Sequence, residues 1–441
     1  MVVRALAERD DEQAQTGRQA QTGRLGRNRD FSKLWAGESA SLVGSQVTTL
    51  ALPLTAVLLL HATSSQMGLL RAAEYAPFFL VALVAGVWVD HRRRRPVLIV
   101  ANLGRALLLA AIPVLALRGQ LSIAALVTIA VLVGVCTVFF EVAYPSFLPR
   151  LVAHDQLVEA NGKLTASASV AEIGGPGLAG VLIGLVTAPV AILADALSFL
   201  VSAASLLAIR TPEPTPLRAD GPHLWRDVRE GFVATFANRY LRAFAGEAAT
   251  YNVCWNALQA VLVLYAVRTL GLGAATLGVV LAVGSVGALL GALLTDRIAR
   301  RCGIGATIVG ASVLGAVSTL LIPLANGRTS GTLALLGLAL FLRGAGVTGC
   351  NVQVYALRQA ITPDRLMGRT NGVYRLLTYG FIPLGALAGG ALGDRIGLRP
   401  TLAIGAAGVS LSWLWLFFSP ARTIRRLPPV AEDMAPVLTD D

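Results

Sequence analysis

Nine ionisable side chains interrupt stretches that are otherwise almost wholly apolar: Glu38, Arg71, Glu74, Arg105, Glu141, Glu172, Asp195, Glu247 and Arg343. A charge in such surroundings costs roughly 2.5–3.5 kcal/mol on membrane-insertion scales, so each needs a reason to be there. The chemistry they could perform is proton transfer. A carboxyl group held away from water can load a proton from one side and release it to the other. Arg71 and Glu74, three residues apart, share a helix face and can neutralise each other. Glu38 and Glu141 lie near the ends of their runs, within reach of water or loop arginines. Glu172, Asp195, Glu247, Arg105 and Arg343 have no such outlet, and with Glu74 they form the candidate set for proton coupling.

Two neutral polar stripes accompany them. Ser41, Ser45, Thr48 and Thr49 share one helix face; Asn252, Asn256 and Gln259 share another, beside Tyr251 and Trp255. Hydroxyls and amides flanked by aromatic rings suit an amphiphilic organic molecule better than an inorganic ion. Interhelical hydrogen bonding is the alternative use of the same groups. Ser45, Thr48, Thr49, Asn252, Trp255, Asn256 and Gln259 are the candidate cavity residues.

The elements that must position these groups are membrane spans. The chain of 441 residues is 55% hydrophobic and 14% charged, with a mean hydropathy of +0.66, whereas a soluble domain carries about 25% charge. A span needs about 20 apolar residues. Twelve runs qualify, near 34–60, 67–89, 97–118, 121–144, 165–187, 190–210, 240–267, 273–295, 303–325, 331–350, 372–393 and 400–419. Helices are expected throughout, because a membrane barrel would show alternating ten-residue strands.

The net charge of +12 is not a nucleic-acid footprint, since the basic residues fall in the gaps between apolar runs rather than on one domain. With the N-terminus inside, the cytoplasmic connections hold the clusters Arg92–Arg95, Arg297 to Arg301 and the arginines of residues 211–239. The outer connections hold only Arg118, Arg268, Arg328, Arg395 and Arg399. That asymmetry puts both termini in the cytoplasm. Residues 1–30 and 421–441 read as disordered cytoplasmic tails, and 211–239 as a linker carrying an amphipathic helix with Trp225, Val228, Phe232 and Phe236 on one face.

The chain repeats itself. His154–Gly162 returns as Pro363–Gly372, and Asp90 with Arg92–Arg95 returns at nearly the same offset as Asp296 with Arg297, Arg300 and Arg301. Two copies of a membrane-embedded half, 31–210 and 240–420, are the mark of a secondary transporter whose bundles rock about a midplane site. Several chemistries are absent from the sequence. There is no phosphate-binding G-x-x-x-x-G-K-[ST], no G-x-S-x-G and no HExxH. The four cysteines and four histidines are scattered, without metal spacing. No enzyme activity, cofactor or metal is expected.

Gly86–Leu98 resembles the major facilitator signature G-x-x-x-D-R-x-G-R-[RK]-x-x-L, with His91 and Arg93 as departures. The resemblance implies a cytoplasmic latch in which Gly86 lets helices approach closely and Asp90, with Arg94 and Arg95, binds a neighbouring helix end. Asp296, Arg297, Arg300 and Arg301 would repeat it. A third echo, Gly390–Pro400, falls on the outer side and is given only structural weight. Ala171–Gly180 resembles the family's antiporter motif G-x-x-x-G-P-x-x-G-G through Gly175, Pro176 and Gly180, which implies export by exchange. Phe31–Gly37, Gly44–Thr48, Glu141–Pro149, Leu157–Asn161 and Leu357–Arg365 extend the likeness to the twelve-span drug:proton antiporter branch, which includes macrolide and enterobactin exporters. Relatives there often carry Asp where this chain has Asn102 and Glu141, and Asn102 takes a candidate charge partner from Arg105.

The expectation is therefore an all-α membrane protein with twelve helices in two pseudo-symmetric six-helix bundles. It would act in the plasma membrane as a monomer, exporting a small amphiphilic organic compound, with protons as the coupling ion and no nucleic-acid partner. An importer or facilitator on the same fold is the alternative, and a non-transporting receptor or scaffold the alternative of another class.

Overall fold

The computed structural model describes Leu25, residues 28–213 and residues 224–426. The expected tails thus fall mainly outside the described residues, as do the middle of the linker and the side chains of Trp225 and Val228. Sixteen α-helices occur among the described residues. Before the linker these are α1 (Arg29–Leu58), α2 (Ser64–Leu80), α3 (Ala82–Asp90), α4 (Arg94–Leu117), α5 (Ile123–Phe147), α6 (Leu157–Val186) and α7 (Ala188–Ala208). The linker carries α8 (Leu224–Ala237). After it come α9 (Arg239–Leu264), α10 (Ala274–Cys302), α11 (Ile304–Val317), α12 (Ser330–Ile361), α13 (Asp364–Gly380), α14 (Ile382–Ile396), α15 (Leu398–Leu411) and α16 (Leu414–Phe417).

Helix starts follow local chemistry. Asn28, Thr63, Ser122, Asn238 and Thr329 each precede a helix and accept a backbone N–H from its first turn, and Thr63 forms a capping box with Gln66. These side chains satisfy donors that a helix leaves orphaned. Three of the single-residue junctions hold a positive φ: Gly303 and Gly397, at 92° and 90°, and Thr187, between α6 and α7, at 129°.

Ten helices are long and apolar enough to cross a membrane among the described residues. Two expected spans fall outside that set for physical reasons. The 67–89 run breaks at Val81, four residues after Pro77, so neither α2 nor α3 reaches spanning length. The 240–267 run holds Arg242, Glu247, Asn252, Asn256 and Gln259, which lower its hydropathy. The structure also moves two boundaries. Asp296–Arg301 is not a loop but the last turns of α10, where Arg300 and Arg301 complement the helix dipole. The repeated cassettes open α6 and α13 rather than preceding them.

Before the linker, α1 packs on α6 and α7, α4 on α5 and α7, and α2 on α5. After it, α12 packs on α10 and α11, and α9 on α14 and α15. Two long seams join the sets, α2 with α14 and α6 with α10. α8 is braced on α13 through Glu230 and Arg369, and Gly231 seats against the Arg369 backbone.

Candidate functional site

Asp195 of α7 is buried and is the centre of a hydroxyl socket. Its carboxylate accepts from Thr48 at 2.5 Å, from Ser198 at 3.1 Å and from Ser45 at 3.4 Å. Hydroxyls both donate and accept, so the same socket can hold the carboxylate or the carboxylic acid with partners kept. Gly44 allows the approach, since a Cβ there would collide with Ser198 and Asp195. Half of the first stripe is therefore used internally: Ser45 and Thr48 bind Asp195, while Thr49 turns towards the cavity described below.

Arg105 lies beside this socket, buried between the rings of Phe140 and Phe199 at 4.4 and 4.1 Å from their centroids. Its charge faces Glu38, Asp195 and Glu141. Asn102 supplies Arg105 with a neutral partner in place of a charged one. It accepts a hydrogen bond from the Arg105 guanidinium and donates to Ser202 at 2.8 Å. Glu38 Oε2 is buried without a hydrogen-bond partner. Glu141 reaches across the molecule to Arg375 of α13.

A chamber lies where both sets of helices meet. It comprises two cavities of about 320 and 670 Å³ that share Arg71, Trp255, Arg343 and Val347. Thr49, Glu74, Pro176 and Gln259 line the smaller one; Glu247, Asn252, Asn256, Arg358 and Tyr374 line the larger. Arg71 and Glu74 pair at 3.0 Å, as their spacing suggests. Arg343 lies 3.4 Å from the Trp255 ring centroid, and Arg358 lies 3.6 Å from that of Tyr374. Glu247 Oε1 accepts from Ser312 at 3.5 Å. Asn252 and Asn256 donate to carbonyls one turn back in α9, at 2.8 and 2.9 Å. Of the coupling candidates, the structure thus places Glu74, Glu247 and Arg343 at the chamber and Asp195 with Arg105 beside it. Glu172 is exposed and lines neither cavity.

The motif residues fall elsewhere. Pro176 and Gly180 form the α6–α10 seam, where a Cβ on Gly180 would strike the Ala274 carbonyl and one on Gly278 the Pro176 carbonyl. Gly175 seats against Gln46. Gly86 does not mediate a close approach, because a Cβ there would meet nothing within 4 Å. The Asp90 side chain lies outside the described residues. The cap on α4 comes instead from Glu213, whose carboxylate accepts the N–H groups of Arg94 at 2.6 Å and Arg95 at 3.0 Å. The Arg95 side chain donates to the carbonyls of Leu206 and Leu207 at the end of α7. Asp296 accepts from Gln353 at 2.9 Å, while Arg297, Arg300 and Arg301 are exposed.

The third echo of the signature carries more than packing. Asp394 of α14 accepts the backbone N–H groups of Ser64 and Ser65 at 2.9 and 3.0 Å, capping α2 from the other side of the molecule. Arg268 adds a bond to the Ala62 carbonyl at 2.8 Å. A carboxylate on a helix N-terminus is favoured by both the orphan donors and the dipole. Sequence reasoning passed over Asp394, Glu213, Arg358, Tyr374 and Arg375. The signal for Asp394 was present in its match to the signature, and that for Arg375 in its place inside an expected span.

A family model described as transmembrane secretion effector matches residues 26–438. The multidrug efflux pump Tap of Mycolicibacterium fortuitum is 27% identical over 388 residues, covering 84% of this chain and 90% of that protein. The enterobactin exporter EntS of Salmonella choleraesuis is 24% identical over 411 residues, covering 91% and 95%. Among solved structures, a bacterial homologue of the iron transporter ferroportin in its inward-facing state superposes with a TM-score of 0.73 at 17% identity, covering 90% of this chain and 99% of that one.

Proposed function

The chain belongs to the transmembrane secretion effector family of major facilitator transporters, and from that premise we propose that it exports an amphiphilic small organic compound in exchange for protons. It is a multi-span membrane transporter and not an enzyme. In this reading α2 with α3, and α9, complete twelve spans, arranged as two six-helix bundles over 31–210 and 240–420. Both termini and the linker 211–239 face the cytoplasm, and the protein works as a monomer in the cell's inner membrane.

The observation that carries the reading is the chamber itself, lined from both sets of helices and joined by a shared Arg71, Trp255 and Arg343. Its outer end is tied by Asp394 and Arg268. Rocking the two sets apart at that end would expose the chamber to the outside and close it at the other, which is alternating access. Glu141 with Arg375 crosses the same divide and would part or form in the opposite phase. The direction is taken from relatives named as an efflux pump and an exporter.

Energetically, one proton entering down about 100 mV and about one pH unit supplies roughly 3.7 kcal/mol. That supports a substrate gradient above about a hundredfold. A susceptibility panel on an efflux-deficient host expressing the chain should show reduced sensitivity to at least one amphiphilic compound. Everted vesicles acidified inside should then release protons when that compound is added. Resistance without substrate-induced proton release would overturn the exchange mechanism.

A further inference from the structure

We propose that the compound carried through the chamber is an aromatic organic anion, held by the guanidinium groups of Arg343 and Arg358 against Trp255 and Tyr374. This names the substrate class of the site and rests on the export reading.

Charge accounting in the chamber comes first. Its walls hold three arginines, Arg71, Arg343 and Arg358, and two carboxylates, Glu74 and Glu247. Arg71 is neutralised by Glu74 at 3.0 Å. Among the described residues no carboxylate lies within ion-pair distance of Arg343 or Arg358. Glu247 takes its hydrogen bond from Ser312 instead. Two guanidinium groups thus face one carboxylate across about 670 Å³. An excess of positive charge in a poorly solvated space attracts an anion and repels a cation more strongly than it would in water.

Geometry adds a chemical class. Arg343 stacks 3.4 Å from the Trp255 centroid and 5.8 Å from that of Tyr251, while Arg358 stacks on Tyr374 and donates to Asn371 at 2.7 Å. A guanidinium lying on a ring keeps its N–H donors in its own plane, which is the geometry that grips a carboxylate or sulfonate with two parallel bonds. Arg343 Nε is buried and lacks a hydrogen-bond partner, and a buried unsatisfied donor is costly. An anionic group in the plane of Arg343 would satisfy it. The Tyr251 and Trp255 rings, stacked with centroids 6.4 Å apart, give an aromatic body a surface to extend along.

The test uses the purified full chain and two xanthene dyes of one scaffold, anionic carboxyfluorescein and cationic rhodamine 6G. Dye anisotropy should show carboxyfluorescein bound at least about tenfold more tightly. R343Q and R358Q should each weaken the anion by about tenfold or more, leaving rhodamine 6G unweakened. R343K, which keeps the charge and loses the planar fork, should recover only part of the anion affinity and controls for folding. Tighter binding of rhodamine 6G, or anion binding indifferent to both glutamine variants, would overturn the assignment. In proteoliposomes, export of the cation alone would overturn it while the exporter reading stands. Export of neither dye would overturn both.

Discussion

Two groups of buried charges flank the chamber and are built on opposite plans. Around Asp195 three hydroxyls converge on one carboxylate and Arg105 sits beside it between two rings. None of Asp195, Arg105, Ser45 or Thr48 lines either cavity. Around Glu247 the charges stand on the chamber wall, loosely bonded and stacked on aromatic faces. A closed socket whose partners serve either protonation state suits a proton. An open wall of donors suits a solute. Protonating Glu247 would add to the hold on an anion, the reverse of what the proposed exchange requires, so under that proposal Asp195 is the candidate for coupling.

The strongest way to break this contrast is to neutralise each carboxylate in turn. D195N should reduce substrate-induced proton release in everted vesicles to the level of empty vesicles while dye binding persists. E247Q should leave the release intact. The opposite pattern would reverse the assignment. Next in size is the outer tie. D394A removes two hydrogen bonds to an exposed carboxylate, worth about 0.5–1.5 kcal/mol each, so the outward-open population should rise by about tenfold. A cysteine placed at the chamber residue Met67 would report this as faster labelling by an impermeant maleimide from outside. Unchanged labelling would strip Asp394 of its gating role.

A smaller effect compares the repeat junctions. Thr187 holds a φ of 129° where the equivalent α14–α15 link uses Gly397. T187G should relieve strain and stabilise the purified protein by about 1 kcal/mol in thermal or denaturant unfolding. Smallest of all, E172Q should change neither proton release nor dye affinity, because that carboxylate is exposed and away from the chamber. A defect in coupling there would show that proton access runs along the outside of α6.

Much of this was legible in the chain. Long apolar runs gave the helices, and the duplicated cassettes pointed to a repeated architecture. Helical spacing put Asn252, Asn256 and Gln259 on one face, and all three line the chamber. What escaped were contacts between residues distant in sequence. Glu141 and Arg375 are 234 positions apart, and Asp394 and Ser64 are 330. Periodicity within one helix cannot report such pairs. Ser45 and Thr48 looked like chamber wall because a polar face has the same pattern whether it meets a solute or a neighbouring carboxylate. Glu213 was hidden by its Pro-rich surroundings, which signal a linker while concealing the cap it places on α4.

The seams between the two sets of helices have a mechanical consequence. At α2–α14 and α6–α10 the crossings are made by Gly68 with Gly390 and Gly180 with Gly278, so backbone slides against backbone. In the proposed rocking cycle, those glycine crossings would act as bearings, with no side chain at the crossing point to lift aside as one block turns on the other. Resistance to that motion would then concentrate in a few polar clasps at the rims, where single substitutions would change turnover without disturbing the pivots.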